Sequence, residues 1–229
     1  MFSPVDGGLP LPEISGLLLH VRADLGITKD ESDFVSQWDD QSASGANLTE
    51  ATNKPLWVDA LVNGHPAVRF DGTNDIMTSG AFASTSKPAH IFAVFNSVSW
   101  VNYDRIYSSI SSGEKLTLEQ TGSTPQIQQV AGSARVNALS ATLGTFFLVN
   151  SFFNAGASYQ GLNDDSNVGT ANPGTQGAFT SISLAARAGD GSPWGNVEFA
   201  EFCLYNVEIT GDDLTSLKDY FNSRYALWT

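Results

Sequence analysis

The sequence predicts an all-β fold in which two antiparallel sheets pack as a sandwich, with one helix at the C-terminus. About a dozen short apolar or alternating segments are separated by turn residues roughly every ten residues, a spacing typical of β-sandwiches. Some segments are apolar at successive positions, as in strands that are covered on both faces. The last strand-like segment is followed by one stretch with helical periodicity.

The strands follow one another along the whole chain. Asn63-Gly64 predicts a tight hairpin turn between two of them. Residues 144–154 are apolar on both faces and predict a central strand. The segments 42–53 and 161–177 are predicted loops. The predicted strands cover residues 16–24, 34–38, 55–60, 66–71, 89–98, 105–110, 115–120, 125–131, 134–139, 144–154, 157–162, 181–186 and 196–206.

The last of these strands carries a phase change. Val197 and Phe199 alternate with polar residues, whereas Phe202 and Leu204 continue the alternation one residue out of step. A slip of one residue moves side chains to the other face of a sheet, so we predict a β-bulge near Ala200.

The C-terminal helix has a marked start. Thr210 is a predicted N-cap, and Asp213 three residues later predicts a capping box. The apolar residues then follow at spacings of three and four, which places them on one helix face. They are Leu214, Leu217, Phe221, Tyr225 and Trp228.

Composition bounds the class of protein. The 229 residues are 41% hydrophobic, enough for a real core, and the absence of a composition break predicts one domain. The formal net charge of −13 argues against nucleic acid and anionic membranes as partners, since both need clustered basic residues. No apolar run approaches the ~20 residues of a membrane helix. The lone Cys203 is a predicted buried thiol.

Residues 1–12 form a predicted Pro- and Gly-rich arm ahead of the domain at 13–229. Phe2, Val5 and Leu9 are spaced among its prolines and glycines, a pattern too apolar for a free linker. We predict that these three residues bind a partner.

Four motif-like segments follow one another along the chain. They are 38–42 (WDDQS), 54–57 (KPLW), the hairpin 63–75 (NGHPAVRFDGTND), and 200–206 (AEFCLYN) with the helix end 224–226. Together and in this order they resemble the LamG-like, concanavalin A-like jelly-roll family. The resemblance spans nearly the whole domain and implies a jelly-roll sandwich. It departs at Val207-Glu-Ile209, where local packing should differ. The family includes sugar-binding modules, adhesion domains, glycanases and phage structural proteins, so it implies no single function.

The residues argue against catalysis. A glycanase needs two carboxyl groups on one sheet face, and Glu198 and Glu201 are three apart, which places them on opposite faces of a regular strand. No cofactor is predicted. The arm, the resemblance and the lack of a recognisable secretion signal predict a non-enzymatic structural or adhesion protein of a phage particle. It would lie at the virion surface and bind other virion proteins or copies of itself. A carbohydrate-binding module of a surface or secreted protein is the alternative, and a glycan hydrolase or lyase is the third.

Two polar segments carry aromatics that would suit a sugar. Trp100 lies near Tyr103 and Asp104 after the apolar strand, and Trp194 lies in a Gly- and Pro-rich loop. We predict these four residues as a glycan-binding site. The alternative is that each Trp plugs an end of the sandwich.

Two oxygen-rich turns, 71–75 and 163–167, have side chains that suit calcium. The same residues are ordinary turn formers that bond their own backbone. The sequence therefore predicts no metal ligand.

Overall fold

The computed structural model describes residues 9–109, 116–132, 134–164, 168–174, 177–187 and 192–229. These residues contain the helix α1 (Gly211–Tyr225), a single 3-10 turn at Ala155–Ala157, and sixteen strands. The strands are β1 (Leu17–Arg22), β2 (Ile27–Lys29), β3 (Val35–Trp38), β4 (Leu48–Thr49), β5 (Leu56–Val62), β6 (His65–Asp71), β7 (Met77–Ser79), β8 (Ala89–Ser97), β9 (Arg105–Ser109), β10 (Leu116–Thr121), β11 (Gln126–Ala131), β12 (Ala134–Ser140), β13 (Phe147–Phe153), β14 (Tyr159–Leu162), β15 (Ile182–Leu184) and β16 (Asn196–Tyr205).

The described strands pair into two antiparallel sheets. The first has the order β14-β13-β8-β16-β6-β5, with β1 also beside β16, and the second has the order β12-β11-β10-β9-β15-β7-β4-β3-β2. We call them the seven-stranded and nine-stranded sheets. Their inner faces meet in one apolar core that includes Phe70, Phe95 and Phe199. The predicted all-β sandwich with one C-terminal helix is confirmed.

Strand β16 is the centre of the seven-stranded sheet. It pairs with β8 along one edge, and on the other edge with β6 first and then with β1. The register with β8 shifts between Phe199 and Glu201, which confirms the bulge near Ala200. The Ala200 carbonyl accepts a hydrogen bond from the Ala23 amide at 2.9 Å, where β16 changes neighbour.

Helix α1 covers the outer face of the seven-stranded sheet. Leu217, Phe221 and Tyr225 are buried as predicted, in a cluster that includes Phe92 and Cys203 of the sheet. This outer cover and the inner core together explain why every residue of β8 and β13 is buried.

Two details of the helix differ from the prediction. Thr210 has extended backbone and makes no side-chain cap hydrogen bond, so the capping box is not formed. The helix ends at Tyr225 because Ala226 adopts a left-handed conformation with φ of 50°. Trp228 therefore lies beyond the helix, although its side chain still packs against the same cluster.

The turn between β5 and β6 has the predicted form. Asn63 and Gly64 have φ of 47° and 78°, the left-handed pair that a tight hairpin turn requires. Among the residues described, no helix is long and apolar enough to cross a membrane.

Candidate functional site

A polar row crosses the outer face of the nine-stranded sheet. Its members lie side by side in register on neighbouring strands, and in the middle of the row the flanking residues, such as Ile182 and Leu184 beside Ser183, belong to the core. Thr78 and Ser183 hydroxyls lie 2.8 Å apart, and the Thr117 hydroxyl donates to Ser108 at 3.2 Å. The row runs Thr28, Gln37, Thr49, Thr78, Ser183, Ser108, Thr117, Val130 and Arg135.

The row is deepest in the middle. Ser108 and Ser183 are fully buried, whereas Thr49 and Arg135 nearer its ends are exposed. The exposed hydroxyl and guanidinium groups offer hydrogen bonds to a polar ligand on this face.

Charged side chains lie beside the row on β9, β10 and β12. Arg135 Nε donates to Glu119 Oε1 at 2.7 Å, and Arg105 contacts the other carboxylate oxygen. The Glu119 side chain is completely buried, while 13% of the Arg105 side chain and 43% of the Arg135 side chain are exposed. Gln128 also donates to Glu119, at 2.7 Å. The carboxylate thus lies beneath two guanidinium groups, which face solvent more than it does.

The loop between β8 and β9 is fixed by one buried side chain. Gln120 accepts a hydrogen bond from the Val101 amide at 2.8 Å and donates to the Ser99 carbonyl at 3.0 Å. Tyr103, at φ of 73°, is held in the left-handed region between these contacts and β9. Its ring is 47% exposed, and the Arg135 guanidinium lies 5.1 Å from the ring centroid.

The Trp194 segment joins this loop at Arg105. Trp194 pairs with Arg105 through an isolated parallel bridge, and the next residue, Gly195, donates to the Ala185 carbonyl at 2.6 Å. A Cβ at position 195 would collide with the Arg105 carbonyl oxygen, so this close approach requires glycine. We call the set of residues 98–105, Glu119, Arg135 and Trp194 the Arg105 corner.

Asp104 is the second buried acid of this corner, beside Glu119. Burial raises its pKa from 3.8 to about 6, and the neighbouring Arg105 opposes that rise. Desolvation favours the neutral carboxyl group, whereas a nearby cation favours the charged one. Asp104 therefore titrates in mildly acidic solution.

The four residues predicted to bind a ligand meet at this corner. Trp100 and Trp194 are half-buried, and Trp100 packs against the core, as a plug would. Tyr103 is the most exposed of the four and Asp104 the most buried. Their role in ligand binding stays a prediction.

Sequence reasoning missed Arg105, Glu119 and Arg135. Glu119 is the one charged residue of the buried strand β10, and a buried carboxylate needs a cation as its partner. This pattern predicts a cationic partner for Glu119. Only the register of strands β9 to β12 shows that the partners are Arg105 and Arg135.

The turn 71–75 borders an open pocket of about 390 Å³ that Phe34 also lines. Asp71 accepts from the amides of Thr73 and Asn74, and Asp75 accepts from the Asp71 amide at 3.0 Å. Burial and the charges of Asp71 and Glu50 raise the pKa of Asp75 to about 6. These bonds are those of an ordinary turn. In the other turn, Asn163 bonds the Leu148 amide, while residues 165–167 lie outside the described residues.

Glu198 and Glu201 do not lie on opposite faces of their strand, contrary to the prediction from the sequence. The bulge at Ala200 turns both side chains to the outer face of the seven-stranded sheet, because the extra residue offsets the alternation. Glu198 accepts from Arg69 Nε at 2.7 Å and Asn96 at 2.9 Å. Glu201 lies fully buried beneath α1.

Glu201 is bound by three donors. His20 Nε2 lies 2.6 Å from it, and the hydroxyls of Tyr220 and Tyr225 each donate at 2.8 Å. Cys203 completes a group with His20 and Glu201 whose ligand-type atoms lie within 4.8 Å of one another. The hydrogen bonds account for this carboxylate as an anchor for α1.

The structure describes one of the three residues predicted to bind a partner. Phe2 and Val5 lie outside the described residues. Leu9 is 54% exposed, and Leu11, which follows it, packs against the α1 cluster. The arm's role as an anchor and the boundary at residue 12 stay predictions.

The chain matches no known protein family and no curated protein. Solved structures share its fold. A GH54 α-L-arabinofuranosidase is 15% identical with a TM-score of 0.64, covering 84% of this chain and 51% of its own. Trypanosoma rangeli sialidase in complex with sialic acid is 12% identical with a TM-score of 0.63, covering 95% and 35%.

The third structure is domain 4 of AbnA, a GH43 extracellular arabinanase from Geobacillus stearothermophilus, in complex with arabinotriose. It is 14% identical with a TM-score of 0.54, covering 89% of this chain and 98% of that domain. This chain thus spans about half or less of the arabinofuranosidase and sialidase chains but nearly all of the arabinanase domain. At these identities the likeness shows a shared β-sandwich fold.

These neighbours correct the functional prediction. The role as a non-enzymatic structural or adhesion protein of a phage particle is wrong, because the three solved structures described above are glycoside hydrolases or a sugar-complexed domain of one. The prediction that the chain is not an enzyme is contradicted by the same structures. It rested partly on opposite faces for Glu198 and Glu201, which the bulge rules out.

Proposed function

We propose that this chain is a carbohydrate-binding β-sandwich domain that binds glycans at the Arg105 corner. The observation that carries the proposal is the half-exposed Tyr103 beside the exposed Arg135 side chain, at the end of a polar row across one sheet. The LamG-like resemblance of the motifs belongs to this proposal as its finer family assignment.

Sugars need this combination of groups. The C–H face of a sugar ring packs on an aromatic ring, and its hydroxyls need hydrogen-bond partners at fixed positions. Tyr103 supplies the ring, and Gln120 holds its loop in place before a ligand arrives. Preorganised loops bind more tightly because less freedom is lost on binding.

The comparisons support the same class of ligand. The arabinanase domain that this chain covers almost completely was solved with arabinotriose. Arabinose-containing oligosaccharides are therefore the first ligands to test, followed by xylo-, galacto- and uronate oligosaccharides.

The test is calorimetric titration of the protein and two variants. We expect Tyr103→Ala to weaken glycan binding at least about tenfold, or about 1.4 kcal/mol, without lowering the melting temperature. Phe34→Ala is the matched control, since Phe34 is a similarly exposed aromatic (42%) before β3, at the far side of the same sheet.

Two results would overturn the proposal. Binding lost in Phe34→Ala and kept in Tyr103→Ala would assign the ligand to the pocket beside the turn 71–75. If none of the oligosaccharides binds at millimolar concentration, the proposal that this chain binds glycans is refuted.

Glycoside hydrolysis at the same corner is the second candidate. The raised pKa of Asp104, about 6, suits a general acid that must hold its proton until it reaches the leaving group. Release of reducing sugar that is lost in Asp104→Asn, and kept in the exposed-site control Asp59→Asn, would establish it. Equal release by both variants would refute it.

A further inference from the structure

We propose that the Arg105 corner selects glycans that carry a carboxylate, such as uronate-type sugars. This inference rests on the proposed function and narrows its ligand class. It begins with charge: the chain has 24 acidic and 11 basic residues, yet the exposed charge of this corner is the Arg135 cation, because both acids of the corner, Asp104 and Glu119, are buried. A ligand with a negative charge is repelled by most of the protein and attracted here.

The difference in burial between Glu119 and Arg135 determines which charged group a ligand contacts. The Glu119 side chain has no exposed surface, whereas 43% of the Arg135 side chain is exposed above it. An approaching ligand therefore meets the cation, while the anion remains beneath it. Glu119 accepts a hydrogen bond from Arg135 Nε, and the terminal nitrogens of the guanidinium are further donors.

Arginine also matches a carboxylate in shape. Its planar fork donates two parallel hydrogen bonds to the two oxygens of a carboxylate, which a lysine cannot reproduce. The guanidinium lies over one face of the Tyr103 ring, 5.1 Å from its centroid, so a sugar packed against the rest of this ring would carry its carboxylate within reach of Arg135. Ring and fork together favour an acidic sugar over an isolated anion.

The second sheet supplies a matched control. Arg69 is 41% exposed in its side chain and is bound through Nε to the buried Glu198, as Arg135 is to Glu119. It differs in having no exposed tyrosine among its described ring contacts. Removing either arginine changes the net charge equally.

The experiment titrates the protein with oligogalacturonate and with a neutral galacto-oligosaccharide of the same length. We expect the acidic oligosaccharide to bind about tenfold more tightly, and Arg135→Ala to erase that preference while Arg69→Ala keeps it. Arg135→Lys, which keeps the charge and spares the fold, should lose most of the preference as well. Sodium chloride at about 0.5 M should weaken the acidic ligand alone in the unaltered protein.

Three other outcomes would overturn the inference or the proposed function. Equal affinity for both oligosaccharides, or equal losses in the Arg135 and Arg69 variants, would overturn the inference and leave glycan binding intact. A sulfated neutral oligosaccharide that binds more tightly than oligogalacturonate would overturn the choice of a carboxylate. If neither oligosaccharide nor any other glycan binds, the proposed function itself fails.

Discussion

Replacing Asp75 by asparagine should stabilise this protein in neutral solution. Asp75 is 9% exposed, and its pKa rises from 3.8 to about 6 through burial and through the charges of Asp71 and Glu50. Asparagine keeps an oxygen that can accept the bond from the Asp71 amide. It removes only the charge that the site disfavours.

The magnitude follows from the shift in pKa. A rise of about two units corresponds to about 3 kcal/mol that the folded state loses on ionising Asp75. The pocket beside Asp75 is open to water, which screens part of the repulsion, so we expect about 1–2 kcal/mol.

The sign depends on pH. Because the pKa is higher in the folded state, Asp75 contributes full stability below about pH 4 and loses it as the pH rises through about 6. Asparagine does not titrate, so the gain in free energy of unfolding should be small at pH 4 and largest at pH 8.

Urea unfolding of both proteins at pH 4 and pH 8 measures this difference. Asp59→Asn is the control, since Asp59 is exposed and its replacement changes the net charge equally. A gain of the same size at both pH values, or one that Asp59→Asn reproduces, would refute the reasoning.

Two further substitutions test the packing. Leu217→Ala should lower the free energy of unfolding by about 2–5 kcal/mol, because Leu217 is fully buried between α1 and the sheet. If chemical denaturation shows a loss below about 0.5 kcal/mol, this helix face is exposed instead. Gly195→Ala should displace Trp194 from Arg105, because the new Cβ collides with the Arg105 carbonyl, and tryptophan fluorescence that is unchanged from the parent would contradict this.

The sequence predicts the longer strands because burial of one face gives their side chains a period of two, and burial of both faces, as in β8 and β13, gives a mostly apolar run. The phase change from Phe199 to Phe202 even predicts the bulge at Ala200. Strands β2, β4 and β7 escape prediction, because two or three residues are too few to show a period, and Leu48–Thr49 falls inside a predicted loop.

The candidate site is only half predictable. Tryptophan and tyrosine in turn-rich segments point to Trp100, Tyr103 and Trp194 from local sequence. The sharing of Glu119 between Arg105 and Arg135 depends on the register of the four strands β9 to β12, which a single sequence does not specify.

The pairing of β1 with β16 has a consequence for how the chain is made. The His20 and Glu201 side chains that bond across this pair are 181 residues apart, so β1 lacks its neighbour until β16 has left the ribosome. Contacts of such long sequence separation slow folding, because a long loop must close before they form. The seven-stranded sheet should therefore be completed only after β16 has been synthesised, and β1 should be among the last strands to become protected from hydrogen exchange.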